Sequence, residues 1–238
     1  MTNYTIQSFG ISDLGLVRDS NEDLFHQILA HHFFALADGI GGHNAGEIAA
    51  KETMHHLSTS IHRIFSSDEE KTETMLSSSL YHAILQANTW VHTLSEQKHE
   101  LHGMGTTLCC MLLHKHSLVY ANVGDSRIYR LRKELLQITK DHSLWQDIDP
   151  SAGKHIITKA IGTAPFVEPD IRICDVEPGD LYFLCSDGLT DYVSDAELLD
   201  ILQNTSCIQS ATKNMIGAAK NKGGRDNITV LMIRVFHA

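Results

Sequence analysis

The pattern of apolar and polar positions divides the chain into strand-like runs near its two ends and two long helical segments between them. Alternation predicts a first strand over residues 3–11, and apolar runs predict two more within 24–37. Apolar residues then recur at helical spacing over about 44–65 and again over 76–94. Long helices inserted between strand regions indicate a mixed fold.

The second half of the chain is richer in strands. Residues 106–113, 117–123 and 127–131 are apolar, β-prone and separated by short turns, which predicts an antiparallel meander. The remaining predicted elements are strands near 171–175 and 181–185, a short helix opened by the capping box Ser194–Glu197, a helix over 207–221 and a strand over 227–236. We find no repeat or linker, so we expect one α+β domain over 1–238.

Composition and charge exclude several classes of partner. The chain is 42% hydrophobic and 20% charged, with a formal net charge of −10. That charge argues against binding to nucleic acid or an anionic membrane, since both need a basic surface. The five cysteines form no CxxC pair, which favours free thiols in a reducing compartment. Neither a signal peptide nor a membrane-length apolar run is evident, so a cytoplasmic protein is expected.

The most distinctive stretch is ALADGIGGHNAG, residues 35–46, in which an apolar run meets a glycine-rich turn before a predicted helix. Such a turn can cradle a phosphate. Gly41 and Gly46 have P-loop spacing, but the next residue is Glu47 where a P-loop has lysine. The dinucleotide fingerprint also fails, because Asn44 replaces its last glycine. A phosphate cradle is therefore disfavoured.

Acidic residues at strand ends offer another interpretation of this turn. Apolar runs end in Asp38, Asp125 and Asp187, and Asp226 opens the last one. Each Asp alone is typical of an ordinary turn. If the strands share a sheet or sandwich, however, the four carboxylates converge at one rim, where a cation must neutralise them. Oxygen ligands suit Mg²⁺ or Mn²⁺ better than Zn²⁺.

Arginine and histidine are the basic residues that bear on this interpretation. Arg18 precedes Glu22 by four residues and could bind a phosphate ester, or could form a surface ion pair with Asp19 or Asp23. The sixteen histidines are scattered, so most are interpreted as surface residues. His43 is the exception, since it lies within the glycine turn.

On the basis of these residues, the chain resembles the metal-dependent protein Ser/Thr phosphatases of the PP2C, or PPM, family in their bacterial form. The resemblance covers nearly the whole chain, in the family's order. It rests on the blocks GLVRDSNED, ADGIGGHNAGEIA, GMGTTL, YANVGDSRIYRLR, ITKDHSL, ITKAIGT, PGDLYFLCSDGLTD and GGRDNITVLMI. The resemblance implies a central antiparallel β-sandwich flanked by α-helices in four layers, α/β/β/α, with two or three Mn²⁺ or Mg²⁺ ions at one end.

The resemblance also implies a role for each candidate residue. Asp38 would bridge two ions, with the Gly39 carbonyl on one of them, and Arg18 would bind the substrate phosphate. The other implied ligands are Asp187 and Asp226 on the first ion, Glu22 facing the second, and Asp125 with Asp187 at a weaker third site, while Asn227 would support the turn. A hydroxide shared by two ions would attack phosphorus directly, without a phosphoenzyme.

Two departures from the family pattern carry their own expectations. Many eukaryotic members have a histidine general acid where this chain has Ile40. Either His43 or metal-bound water must then protonate the leaving group, or the acid is dispensable; we expect metal-bound water. Bacterial members usually have a long flap where only WQDIDPSAGKHI, residues 145–156, remains. We expect a shortened flap, a more open metal site and altered substrate selection.

The implied function is dephosphorylation of phosphoserine and phosphothreonine in proteins, opposing a cognate bacterial Ser/Thr kinase. Some members are encoded with type VI secretion systems, which is one setting for this chain. The alternative is a phosphatase-like module that has lost turnover and binds phosphoproteins or regulates a partner. Such modules usually lose metal acids, whereas this chain keeps them. A nucleotide-binding enzyme is disfavoured by the missing P-loop lysine.

Overall fold

A computed structural model describes residues 4–41, 45–145 and 155–237. Its strands are β1 (Tyr4–Asp13), β2 (Asp23–Ile28), β3 (Phe33–Ile40), β4 (Gly105–Thr106), β5 (Leu108–His114), β6 (Ser117–Val123), β7 (Arg127–Leu131), β8 (Leu135–Gln137), β9 (Ser143–Trp145), β10 (His155–Ile157), β11 (Asp170–Asp175), β12 (Leu181–Cys185) and β13 (Ile228–His237). The α-helices are α1 (Ala45–Ser66), α2 (Glu73–Gln97), α3 (Asp187–Thr190), α4 (Asp195–Gln203) and α5 (Ile208–Asn221). Short 3₁₀ turns lie at Leu29–His31 and His99–Leu101.

Two antiparallel sheets form the centre of the molecule. One has the strand order β1-β13-β12-β7-β8, and the other has the order β11-β6-β5-β3-β2 with β4 paired to β3. Strands β9 and β10 form a separate antiparallel pair. The first and last strands are neighbours, so the last strand closes the sheet beside the first.

Three apolar cores separate four layers. A core containing Phe34, Leu36 and Leu231 lies between the two sheets. A second core joins the β3 sheet to α1 and α2, and a third joins the β13 sheet to α4 and α5. Because successive residues of a strand face opposite sides, each central strand supplies two of these cores and reads as a continuous apolar run. The predicted α+β sandwich with outer helices is confirmed.

Helix starts follow the sequence signals where these are described. The Thr72 hydroxyl caps α2 by accepting a hydrogen bond from the Met75 amide at 3.2 Å. At α4, Ser194 and Glu197 form the predicted capping box. Two residues of the glycine-rich turn that precedes α1, His43 and Asn44, lie outside the described residues.

The pattern missed several short elements. Strand β8, the β9–β10 pair and the four-residue helix α3 were not predicted, because elements of three or four residues are too short to show periodicity. The predicted strand 106–113 is divided at Thr107 into β4 and β5. Only the ends of the predicted short flap are described, so its length and effect stay predictions. Among the described residues, no helix is long and apolar enough to cross a membrane.

Candidate metal centre

The acidic residues of one sheet meet because of strand register. Strands β2 and β3 run antiparallel with Asp23 opposite Asp38, so the start of β2 lies beside the end of β3. Glu22 immediately precedes β2, and its carbonyl accepts a hydrogen bond from the Gly39 amide at 3.1 Å. Glu22, Asp23 and Asp38 therefore lie together at one rim of this sheet.

The second sheet brings two more acids to the same end. Strands β12 and β13 are antiparallel neighbours, with Cys185 opposite Val230. Just beyond that pair, the Ser186 amide donates to the Thr229 carbonyl at 3.1 Å. Asp187 follows as the first residue of α3, while Asp226 lies just before β13, so both acids lie at this end of the sandwich.

A polar cavity of about 310 Å³ lies where these strand ends meet. The described residues that line it are Arg18, Glu22, Asp38, Gly39, Ile40, Gly41, Ile157, Asp187, Asp191 and Asp226. Six of the nine residues proposed from sequence therefore share one cavity. Its carboxylate and backbone oxygens are the ligands that hard divalent cations prefer, whereas the single guanidinium suits an anion.

Gly39 and Gly46 allow β3, α1 and Glu22 to approach one another closely. A Cβ on Gly39 would lie 2.4 Å from the Gly46 carbonyl carbon, and a Cβ on Gly46 would lie 2.2 Å from Glu22 Oε2. Side chains do not tolerate such distances, so any larger residue must move the backbone or the Glu22 carboxylate. The glycine turn thus holds the acids close together, which gives Gly46 a role other than phosphate binding.

Asn227 ties the segment that carries Arg18 and Glu22 to the start of β13. Its Oδ1 accepts a hydrogen bond from the Glu22 amide at 2.9 Å. Its Nδ2 donates to the carbonyls of Leu14 and Ser20, both at 3.0 Å. The side chain is 5% exposed, so these are buried polar contacts that fix the loop.

The carboxylates repel one another when no cation is bound. Burial raises the pKa of Asp38 well above its ordinary value, and the charges of Asp23, Asp187, Asp226 and Asp125 raise it further. The pKa of Asp187 is raised in the same way, by burial first and then by the charges of Asp125 and Asp191. Bound cations would reverse this penalty, so the residues present fit divalent metal ions.

Asp125 is not among the described residues that line the cavity. It occupies the turn between β6 and β7, is 6% exposed, and is close enough for its charge to raise the pKa values of Asp38 and Asp187. Asp191 does line the cavity, and it follows Asp187 by four residues.

Sequence reasoning missed Asp191 and the buried acid Asp23 as members of this cluster. Asp23 is 7% exposed, and Ser186 donates to its Oδ2 at 2.7 Å. Burial is the main cause that raises its pKa to about 6. The sequence could have identified both acids, because Asp23 directly follows Glu22 and Asp191 lies one helical turn after Asp187.

Arg18 pairs with Asp226, not with Asp19 or Asp23. Its Nη2 lies 2.7 Å from Asp226 Oδ2, and the two side chains are 51% and 37% exposed. Burial lowers the pKa of Arg18, but the hydrogen bond and charge of Asp226 outweigh it and raise the value overall. The guanidinium is thus at the cavity mouth, next to a candidate metal ligand.

The acids do not close on a single point. Within the described ranges, no three His, Cys, Asp or Glu side chains are gathered tightly around one position. The chemistry of the donors, not their spacing, indicates the metal, because carboxylate and carbonyl oxygens suit Mg²⁺ or Mn²⁺, whereas nitrogen and sulfur donors suit Zn²⁺.

Comparison with known proteins agrees with this geometry. A family model described as "Protein phosphatase 2C" matches residues 18–221. The chain is 33% identical over 242 residues to the serine/threonine phosphatase stp of Listeria innocua, covering 93% of each. The crystal structure of the catalytic domain of PstP in complex with two manganese ions superposes with a TM-score of 0.86, at 36% identity, over 98% of this chain and 99% of that one.

A further neighbour is PppA of Pseudomonas aeruginosa, a regulatory component of its type VI secretion system. It superposes with a TM-score of 0.84 at 30% identity, over 97% of this chain and 98% of that one. The shared fold, the identity across almost the full length and the acids at one end of the sandwich agree with one another. The chain belongs to the protein phosphatase 2C family, whose members are metal-dependent serine/threonine phosphoprotein phosphatases.

Proposed function

We propose that this chain dephosphorylates phosphoserine and phosphothreonine in proteins, using Mn²⁺ or Mg²⁺ held at the acidic end of the sandwich. The observation that carries the proposal is the single cavity shared by Arg18 and the carboxylates. In it, Asp38 would serve two ions and Gly39 would offer its carbonyl. The remaining proposed ligands are Asp187 and Asp226 for the first ion, Glu22 for the second, and Asp125 with Asp187 for a third.

The chain's own residues would orient the substrate. When bound, the ions supply an activated water and neutralise phosphate charge. Arg18 and Asp226 are paired at 2.7 Å at the cavity mouth. Each has a stronger partner in the working enzyme, because the guanidinium can form two hydrogen bonds to a phosphate and the carboxylate can bind a cation. Breaking this exposed pair costs little.

Protonation of the leaving oxygen needs no side chain on the described cavity wall. No histidine is among the described lining residues, and Ile40 occupies the place of the histidine found in many eukaryotic members. We propose that water at the metal centre supplies this proton. His43→Ala should then leave turnover unchanged for poor leaving groups, and a large loss would identify His43 as the acid.

The biological setting is a further part of the proposal. A relative named as a serine/threonine phosphatase and a solved neighbour that regulates type VI secretion support a role opposite a bacterial Ser/Thr kinase, with a secretion-linked setting as one option. The free thiols at Cys109, Cys110, Cys174, Cys185 and Cys207 favour the cytoplasm, where reduced cysteines are usual. The alternative of a non-catalytic module is disfavoured, since Asp38, Asp187 and Asp226 reach one cavity.

Hydrolysis of p-nitrophenyl phosphate tests the core of the proposal. We expect activity with Mn²⁺ that EDTA removes, and loss of activity in Asp38→Asn. Asp68→Asn is the matched control, because Asp68 is exposed in the α1–α2 connection. Phosphothreonine and phosphotyrosine peptides then test the substrate class. Activity that survives chelation or Asp38→Asn would overturn the proposal.

A further inference from the structure

Histidines gather at the opposite end of the sandwich from the acids. The 3₁₀ turn Leu29–His31 connects β2 to β3, and Asp38 lies five positions beyond Phe33 along β3, roughly 16 Å at about 3.3 Å per residue. His31 lies in this turn and His62 lies near the end of α1. The two histidines are 31 positions apart in sequence, and the fold brings their imidazoles together.

The two rings face each other through nitrogen atoms. His31 Nε2 and His62 Nδ1 are 3.2 Å apart, and the ring centroids are 5.1 Å apart at an angle of 72°. Two nitrogens at this distance suit one shared ion. With metal–nitrogen bonds of about 2.0–2.1 Å, a 3.2 Å separation gives an N–metal–N angle of about 100°, between octahedral and tetrahedral values.

The His31 ring is held in the orientation that a ligand needs. It stacks on Phe65 with a centroid distance of 4.6 Å and an interplanar angle of 8°. This stack restricts rotation of the ring, and His31 Nε2 is the atom that faces His62.

A third imidazole lies near this pair. His26 shares the side of β2 that carries Leu24 and Ile28, which pack in the core beneath α1. Its Nε2 is buried with no hydrogen-bond partner among the described residues. His26 is close enough for the charge of His62 to lower its pKa, after the larger effect of burial. In the described structure, no third side chain completes a compact cluster, so water would fill the remaining positions.

We propose that His31 and His62 form a second cation site, for Zn²⁺, Ni²⁺ or Cu²⁺, separate from the acidic centre. Imidazole nitrogen prefers these ions, whereas carboxylate oxygen prefers Mg²⁺ and Mn²⁺, so the two sites select different metals. His62 is exposed and His31 is half-buried, which leaves the pair open to solvent. The bound ion takes the place of the proton between His31 Nε2 and His62 Nδ1, and it links the β2–β3 turn to α1.

Copper titration monitored by electron paramagnetic resonance tests this site directly. With Mg²⁺ in large excess to occupy the oxygen ligands, the purified protein should bind Cu²⁺ with hyperfine coupling to two imidazole nitrogens. His62→Ala should remove one coupling and weaken binding at least about tenfold, the lower end of what loss of even an outer partner costs. His55→Ala is the matched control, because His55 is also exposed on α1.

Two further measurements keep the result decisive. His31→Gln should weaken Cu²⁺ binding as His62→Ala does, and circular dichroism should show both variants folded. Zn²⁺ should raise the Tm of the wild-type protein and of His55→Ala more than that of His62→Ala. Equal Cu²⁺ affinity and equal nitrogen coupling in wild type and His62→Ala would overturn the proposal. Mn²⁺-dependent hydrolysis should be unchanged in His62→Ala, so this outcome does not depend on the phosphatase test.

Discussion

Replacing Asp23 by Asn should change how the stability of the metal-free protein depends on pH. Asp23 is buried at the rim of the β3 sheet, and its Oδ2 accepts a hydrogen bond from Ser186. Burial, followed by the charge of Asp226, raises its pKa from 3.8 to about 6. Asn can accept the same Ser186 hydrogen bond but carries no charge, so the substitution removes the ionisation and keeps the contact.

The sign and size follow from the two pKa values of this carboxyl group. Because the folded-state pKa is the higher one, the folded protein holds the Asp23 proton to higher pH than the unfolded chain. The contribution of Asp23 to the free energy of unfolding is therefore highest below pH 3.8, falls as pH rises through about 6, and then stays level. A pKa raised from 3.8 to about 6, at about 1.36 kcal/mol per pH unit, corresponds to a loss of about 3 kcal/mol.

Urea denaturation in the presence of a chelator, near pH 4 and near pH 8, measures this difference. Asp23→Asn should gain most of the ~3 kcal/mol relative to wild type at the higher pH. Asp68→Asn, an exposed substitution, should follow the wild-type curve at both. Saturating Mn²⁺ should reduce the wild-type pH dependence, since bound cations stabilise the ionised form. Parallel curves for wild type and Asp23→Asn would refute the reasoning.

Three further predictions concern the same centre. Gly46→Ala should displace the Glu22 carboxylate and weaken Mn²⁺ binding, measured by calorimetry, on the order of 10-fold. Gly217→Ala is the control, because the space around its Cβ is open, and it should bind Mn²⁺ as the wild type does. Equal Mn²⁺ affinities for Gly46→Ala and the wild type would contradict this prediction. Asn227→Ala should lower the free energy of unfolding by about 3 kcal/mol, about 1 for each of three hydrogen bonds, and a loss below about 1 in urea titration would argue against it. Arg18→Lys should raise KM for a phosphopeptide about 10-fold, because lysine keeps the charge but not the paired hydrogen bonds; an unchanged KM would exclude phosphate binding.

Local sequence was sufficient for most of the framework. The runs 33–37 of β3 and 181–185 of β12 are apolar because each is buried on both sides, and the long helices show their period over many turns. The acids that end these runs could be identified as candidates, since a charged residue directly after a buried strand is conspicuous. The two-sheet arrangement and the metal roles came from the family resemblance, not from periodicity.

Tertiary structure decided which side chains meet. Register places Asp23 against Asp38, and packing of Gly46 against Glu22 closes the turn, but neither contact has a local sequence signal. Arg18 finds Asp226, 208 positions away, although nearer acids were available. His31 likewise meets His62 only after α1 packs on the β2–β3 turn. Local propensity reflects a few neighbouring residues, whereas these pairs depend on strand register and helix packing, which the whole chain determines.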